Sequence, residues 1–500
     1  MARVVVVGAG AGGMAAAARL AVKGHEVTVV EQGASPGGKL ARYERDGFVF
    51  DTGPSLFTLP AVYRDLFLKT GGALEDAVDL QPLEPAFGYR WHDGAEVTMP
   101  GVGVGMCAEA LGQGLGGTAA EDWRSLMAHA ARAWQVTRQP FLESPLDGVR
   151  TLISLARSLD DVRTVAPLTS LRALGRKHLR DPRLVTLLDR YATYTGSDPR
   201  RAPSVLSTVP YVEQTFGAWH LGGGIAELAA ALHRRSEERG VTFRFGADVR
   251  EITTTTAGVS GVRLADGETL PADVVVANAD ATHVYGDLVH DARTTAARRR
   301  LRRATPSLSG FVLLLAVEGR TPGLLHHNVW FPQRYDDEFD AIFAGTPRPV
   351  DDPTVYVCAP DDPRMRPSDD TESWFVLVNA PRHGSGAPGS GTVDWQAPGL
   401  AEQYADHVLE VLARRGVDVR ERLRWKEIRT PADLAEATRA PGGSIYGSSS
   451  NGARAAFLRP ANATDVPGLF LVGGSSHPGG GLPLVGLSAE IVANLVGRAS

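Results

Sequence analysis

The chain has 500 residues, 43% apolar and 22% charged, a formal net charge of −5, and only two cysteines, Cys107 and Cys358. That length is too great for one compact core and implies two or more domains. Two distant cysteines argue against a disulfide framework and a thiolate metal site and fit a reducing compartment, an acidic balance does not suit nucleic acid, and no apolar run of about 18 residues free of Gly and Pro predicts a membrane span.

Residues 3–7, RVVVV, have the character of a buried parallel strand, Ala11 to Val22 that of a helix of small residues lying close on a sheet, and HEVTVVE (25–31) that of a second strand. Together they predict a βαβ unit at the start of the chain. The same opening has the basic and apolar runs of a signal peptide, but a translocated segment has no need of spaced glycines. Between strand and helix, Gly8-Ala9-Gly10-Ala11-Gly12-Gly13 fits G-x-G-x-x-G, and Glu31 closes the second strand. Gly8, Gly10 and Gly13 let a diphosphate approach the helix N-terminus, whose dipole favours anions, while Glu31 can accept from a ribose hydroxyl. By itself this pattern does not separate a nicotinamide from a flavin dinucleotide.

Pro36-Gly37-Gly38-Lys39 and Asp51-Thr52-Gly53-Pro54-Ser55 come next. A nicotinamide dehydrogenase has no need of a second glycine pair here, whereas a longer cofactor does, with Lys39 neutralising phosphate charge. Taken singly, each segment is equally compatible with a plain loop. After Gly105 the periodicity turns helical, with Leu152, Leu155, Leu159, Leu171, Leu174, Leu179, Leu184, Leu187 and Leu188 recurring among arginines as in amphipathic helices. Between Glu121 and Arg201 fourteen Arg or Lys face nine Asp or Glu, a local basic excess in an acidic chain. A second cluster, Arg298, Arg299, Arg300, Arg302 and Arg303, reads as a solvated helix face.

Strands return in VTFRFGADVREI from Val241, GVSGVRLADGETL with a turn at Asp266-Gly267, and DVVVANAD, then in GFVLLLAVEG (310–319), TVYVCAP (354–360) and WFVLVNAP (374–381). A helix over AEQYADHVLEVLARRG precedes a second strand and glycine cluster, FLVGGSSHPGGGLPLVGLSAEIV (470–492). The thirteen histidines do not group into metal spacing, His326, His327 and His477 read as structural, and no metal is expected.

The order GxGxxG, Glu, GGK, DTGPS and LVGGSSHPGGGLPLV resembles the phytoene desaturase type of carotenoid desaturase, within the amine oxidase-like flavoproteins. The resemblance spans nearly the whole chain, through YATYTGSDP (191–199), WHLGGGIAELAAAL (219–232), HHNVWF (326–331), DDPTVYVCAPDD (351–362) and GSIYGSSSNGARAAFLRPAN (443–462). The last three blocks are most similar to the branch acting on acyclic carotenoids at the 3,4 position. Leu484, where many phytoene desaturases have glycine, and Lys39, where arginine is common, depart from the pattern.

The resemblance implies an α/β fold: a discontinuous Rossmann-type FAD-binding domain (1–100, 216–290 and 441–500), a mixed-sheet substrate domain (291–440) and a helical, membrane-facing cap (101–215). FAD would meet Gly8, Gly10 and Gly13 at its diphosphate, Glu31 at the adenosine ribose, Gly38 and Lys39 at the phosphates, and Val249 beside the adenine. Gly53 and Pro54 belong to the same set; Gly473 and Gly474 would face the ribityl chain, and Pro483, Leu484 and Val485 the isoalloxazine, so that the two glycine clusters grip the cofactor at its two ends. The implied reaction is hydride loss from an acyclic carotenoid to flavin, then proton loss to form a C=C bond. Asp147 and Arg150 are the acid and base pair assigned to that step; a solvent-exposed i,i+3 pair is the plainer reading.

Leaving lipid through water would cost the substrate about 0.8 kcal/mol per CH₂, which implies a protein docked peripherally on the cytoplasmic membrane surface, its basic helical region toward anionic headgroups; an ordinary helical cap over a soluble site is the alternative. The competing readings are a phytoene desaturase, a flavin amine oxidase acting on a small polar substrate, and a non-enzymatic prenyl-lipid binding protein.

Overall fold

The computed structural model describes residues 1–146, 158–452, 455 and 459–499. Its first sheet holds five parallel strands in the spatial order 242–244, 26–30, 3–7, 274–277 and 469–471. Val4, Val5, Val6 and Val7 are all buried, as the middle strand of a sheet covered on both faces requires. Helix α1, Ala11–Val22, is enclosed by this sheet and by neighbouring helices, and its Ala15, Ala16, Ala17 and Ala18 expose nothing to solvent. Numbered by first appearance, the strands run 3-2-1-4-5, so the direction of winding reverses between 3–7 and 274–277. Open parallel sheets form their ligand crevice at such a reversal, outside the carboxyl ends of the strands.

The second sheet is mixed, with seven strands in the order 423–429, 309–318, 371–380, 355–358, 327–330, 87–90 and 96–99. Every pairing in it is antiparallel except that of His327–Trp330 with Phe87–Arg90. The segment from residue 1 to 100 therefore does not stay with the first sheet. Its last strands cross to the second, because Phe87 and Tyr89 bury their rings against His327 and Phe331. The tract from Val241 also splits: Thr242–Arg244 extends the parallel sheet, whereas Val249–Thr255 starts a three-stranded antiparallel sheet with 258–264 and 269–271.

Four further helices complete the frame: α2 (Ala119–Thr137), α3 (Thr208–Phe216), α4 (Ala226–Glu238) and α5 (Leu482–Val496). The leucines expected to give the helical region a lipid-facing surface mostly turn inward. Leu171, Leu174, Leu179, Leu184, Leu187 and Leu188 share one core with Trp123, Phe87 and Tyr89. Part of the local basic charge is neutralised by ion pairs, Arg172 with Asp189 and Asp336, Arg183 with Asp181, and Arg200 with Asp198. The arginine-rich helix Thr295–Arg303 buries none of its residues. Among the described residues no helix is long and apolar enough to cross a membrane.

Candidate active site

At the winding reversal, the glycine turn after the first strand meets Asn278, which follows the fourth. A Cβ on Gly13 would lie 2.1 Å from the Gly8 carbonyl oxygen, so only glycine permits this turn. Oriented with its oxygen toward the loop, the Asn278 carboxamide accepts from the N–H groups of Gly10 and Gly13 at 3.2 and 3.3 Å; the orientation follows from the hydrogen-bonding network. α1 has no side-chain cap at its N-terminus, and Gly8 and Gly10 keep accessible surface there. Glu31 accepts from the N–H of Ala9 at 2.7 Å and of Gly33 at 2.8 Å. A carboxylate has about four acceptor positions, so capacity for a diol remains.

The two middle motifs close on this turn. Gly37 donates to the Ala9 carbonyl at 2.9 Å, and a Cβ on Gly38 would lie 3.5 Å from Gly10 Cα. A Cβ on Gly53 would lie only 1.8 Å from the Lys39 carbonyl oxygen, which locks the loop bearing Pro54 against Gly38 and Lys39. Asp51, in the same motif, points away from the turn, and its carboxylate accepts from Ile225 and Ala226 N–H at 2.8 and 2.9 Å, at the start of α4. Burial pushes that carboxyl up to about 6, against the pull of the two backbone donors.

Lys39 donates to the Ile445 carbonyl at 2.6 Å. Burial lowers its ammonium from the usual range, with Asp280 opposing. Arg459 donates to the carbonyls of Gly474, Ser448 and Tyr446 at 2.6, 2.7 and 3.0 Å, and burial brings it down to about 10 with Asp280 again opposing. Both cations feel the buried Asp280 carboxylate, and among the described residues neither forms an ion pair, a positive balance that a diphosphate would neutralise. With the glycine cradle and the uncapped helix end, this donor set fits a dinucleotide.

The closing cluster adjoins the opening one. A Cβ on Gly12 would lie 3.2 Å from Gly473 Cα and 3.1 Å from the Val485 side chain, so the two clusters adjoin at this point of the crevice. Gly474 lies against Gly480 and Val485. Gly481 precedes α5 and gives it no side-chain cap, Pro483 lies in its first turn, and Tyr63 Oη donates to the Leu482 carbonyl at 2.9 Å. Leu484 packs with Trp134, Leu142, Val212 and Phe216 around Leu59, Val62 and Leu487, an apolar wall built from α2, the turn after it, α3 and α5. Each of these five flanking side chains keeps accessible surface.

Val249 is buried among Val5, Val7 and Val30, two residues beyond Ala247, whose N–H donates to the Glu31 carbonyl at 2.8 Å. Asp147 and Arg150 lie outside the described residues. Asn278, Asp280, Tyr446 and Arg459 were not singled out from sequence; of these only Asn278 left a signal, as the polar residue ending an all-apolar strand in DVVVANAD. The histidines that show no metal spacing in sequence do come together in part. Ligand atoms of His326, His327 and Cys358 lie within 4.8 Å of one another. Burial pushes the Cys358 thiol up and His326 down to about 3, and His327 Nδ1 is already bonded to Tyr356 Oη at 2.8 Å, so the trio is a set of neutral groups.

A family model described as flavin containing amine oxidoreductase matches residues 11–379. The chain is 31% identical over 506 residues to 4,4'-diapolycopene oxygenase of a Methylomonas species, covering 99% of this chain and 98% of that one. It is 32% identical over 502 residues to 1-hydroxycarotenoid 3,4-desaturase of a Flavobacterium species, covering 99% of each. Among solved structures, cyclohexylamine oxidase from Brevibacterium oxydans shares the fold, with a TM-score of 0.63, 16% identity and 99% of each chain covered. FAD is accordingly the cofactor that the cradle fits. Full-length identity to these relatives and the match of the family model establish that the chain belongs to the flavin containing amine oxidoreductases, among their carotenoid desaturases and oxygenases, and is an FAD-dependent oxidoreductase.

Proposed function

We propose that this protein is a carotenoid desaturase that forms a C=C bond in an acyclic carotenoid, at the 3,4 position, while docked on the cytoplasmic face of a membrane. The observation that carries this reading is the apolar wall of Leu484, Trp134, Leu142, Val212 and Phe216 beside the start of α5. An amine would lose its hydration against such a wall. A polyene coming from lipid loses nothing, because acyl chains are as apolar as leucine. FAD, when bound, supplies the two-electron acceptor that the oxidation requires. The residues do the rest: the glycine turns and Lys39 hold the dinucleotide, Leu484 and its neighbours orient the chain and exclude water, and the uncapped end of α5 favours negative charge where electrons arrive.

The 3,4 position is supported by the sequence blocks at 326–331, 351–362 and 443–462 and by the activity that names one relative. Residues 101–215 act in this reading as the substrate's entrance, and Leu168 among them is 90% exposed. The test supplies FAD-loaded protein with liposomes carrying phytoene, lycopene or a 1-hydroxylated acyclic carotenoid. A red-shifted absorption with a product two hydrogens lighter is the expected result. A product that gains oxygen would move the protein to the oxygenases, and turnover of a water-soluble amine with no change in any polyene would overturn the proposal.

A further inference from the structure

Beside the crevice the fold buries a polar cluster that neither the cofactor cradle nor the apolar wall requires. Arg190 is 7% exposed. Its guanidinium faces the rings of Tyr89, Tyr194 and Tyr356 at 5.9, 5.1 and 5.7 Å and donates through Nη1 to Tyr194 Oη at 2.8 Å. Glu213 adjoins the cluster, its two oxygens accepting from Tyr191 at 2.6 Å and Tyr194 at 3.1 Å. Tyr356 Oη is bonded to His327 Nδ1 at 2.8 Å and to Ser55 Oγ at 2.7 Å.

Hydrogen bonding in this cluster is incomplete. Among the described residues Arg190 has one side-chain bond for its five N–H groups. His327 Nε2 and Tyr89 Oη, both on wholly buried side chains, have no partner. Each buried polar atom left unpaired costs about 1–3 kcal/mol, so these two leave the cluster with unmet hydrogen-bonding capacity. The cluster also reaches accessible space and adjoins the cofactor loop. Tyr194 and Tyr356 lie deep in the fold yet keep accessible surface, and Ser55 ends the loop that Gly53 packs on Lys39. Tyr446, whose ring would lie 2.4 Å from a Cβ on Gly480, is close enough to Arg190 to feel its charge.

Two arguments identify the ligand chemistry. A guanidinium repels the positive charge that develops when a polyene is oxidised, so the cluster does not serve the reacting carbons. The Glu213 carboxyl already lies within reach of the Arg190 charge, and an anion added beside the two would have to be desolvated in the interior. What remains is a neutral group with lone pairs. We propose that Arg190, Tyr356 and Ser55, with His327 behind Tyr356, bind a hydroxyl or carbonyl oxygen at one end of the polyene and thereby select which end enters the crevice. This inference rests on the carotenoid reading and adds to it a site for recognising the substrate's polar end.

The test compares a 1-hydroxylated acyclic carotenoid with its parent hydrocarbon. Replacing Arg190 would remove the bond to Tyr194 that the buried tyrosine network is built on, so the variants are Tyr356→Phe and Ser55→Ala in the FAD-loaded full chain. Binding is followed by tryptophan fluorescence quenching and turnover by absorption. The wild type is expected to prefer the hydroxylated polyene, and Tyr356→Phe to lower the ratio of the two kcat/KM values at least tenfold, with a matching loss in the ratio of binding constants. Equal handling of both polyenes by wild type and variants alike would overturn this inference and leave the desaturase reading intact. Failure to bind or turn over either polyene would overturn both.

Discussion

A single methyl group decides whether the cradle can form at Gly53, since a Cβ there would lie 1.8 Å from the Lys39 carbonyl oxygen. Backbone cannot yield by the required distance without moving Lys39 and Gly38 away from Gly10. Gly53→Ala is therefore expected to reduce the flavin retained on purification at least tenfold while leaving far-ultraviolet circular dichroism unchanged; full flavin occupancy in the variant would refute the assignment of this loop to the cradle. Glycine at such places is legible in sequence because spacing and neighbours reveal it. Asn278 is far less so: its role comes from accepting Gly10 and Gly13 N–H across a strand boundary, a contact with no periodic signature. Lys39 and Arg459 were equally opaque as a pair, because only the fold brings both to Asp280.

Among the elements, α4 depends on a residue outside it. Asp51 accepts from the first N–H groups of that helix, and its carboxyl is held at about 6 in the fold against an ordinary 3.8. The folded chain therefore binds an extra proton between these values, and this group favours folding increasingly as pH falls from about 6 toward 4. Asp51→Asn removes that titration. Relative to the variant, the wild type should gain about 2 kcal/mol between pH 7 and pH 4, at about 1.36 kcal/mol per pKa unit, in paired denaturant titrations; parallel pH curves would exclude the linkage. Helices and strands were mostly readable from period and composition, as in Arg3–Val7 and α1. What each face touches was not: the leucines of 171–188 satisfy the pattern of a surface helix and of a core helix equally, and only packing against Trp123 and Phe87 separates the two.

For the whole molecule, the first sheet is assembled from both ends of the chain, with Leu469–Leu471 on Val275–Ala277 and α5 against α1 through Val492, Ala489 and Ala493. A chain ending at residue 465 would expose that strand edge and the alanine face of α1. It is expected to lose its cooperative thermal transition as well as its flavin, measured by scanning calorimetry; a sharp transition near the full-length value would show that the first sheet is complete without the closing segment. The amino-acid sequence by itself determined the cofactor class and the parallel strand at its start, because diphosphate binding needs glycine at set spacings and a doubly covered strand needs unbroken apolar residues. Only the tertiary structure decided that the two glycine clusters adjoin, that strands 87–90 and 96–99 leave the first sheet, and that Arg190, Tyr356 and Ser55 converge. These are meetings of residues tens to hundreds of positions apart, set by side-chain volume and hydrogen-bond satisfaction in the packed interior, and local periodicity carries no record of them.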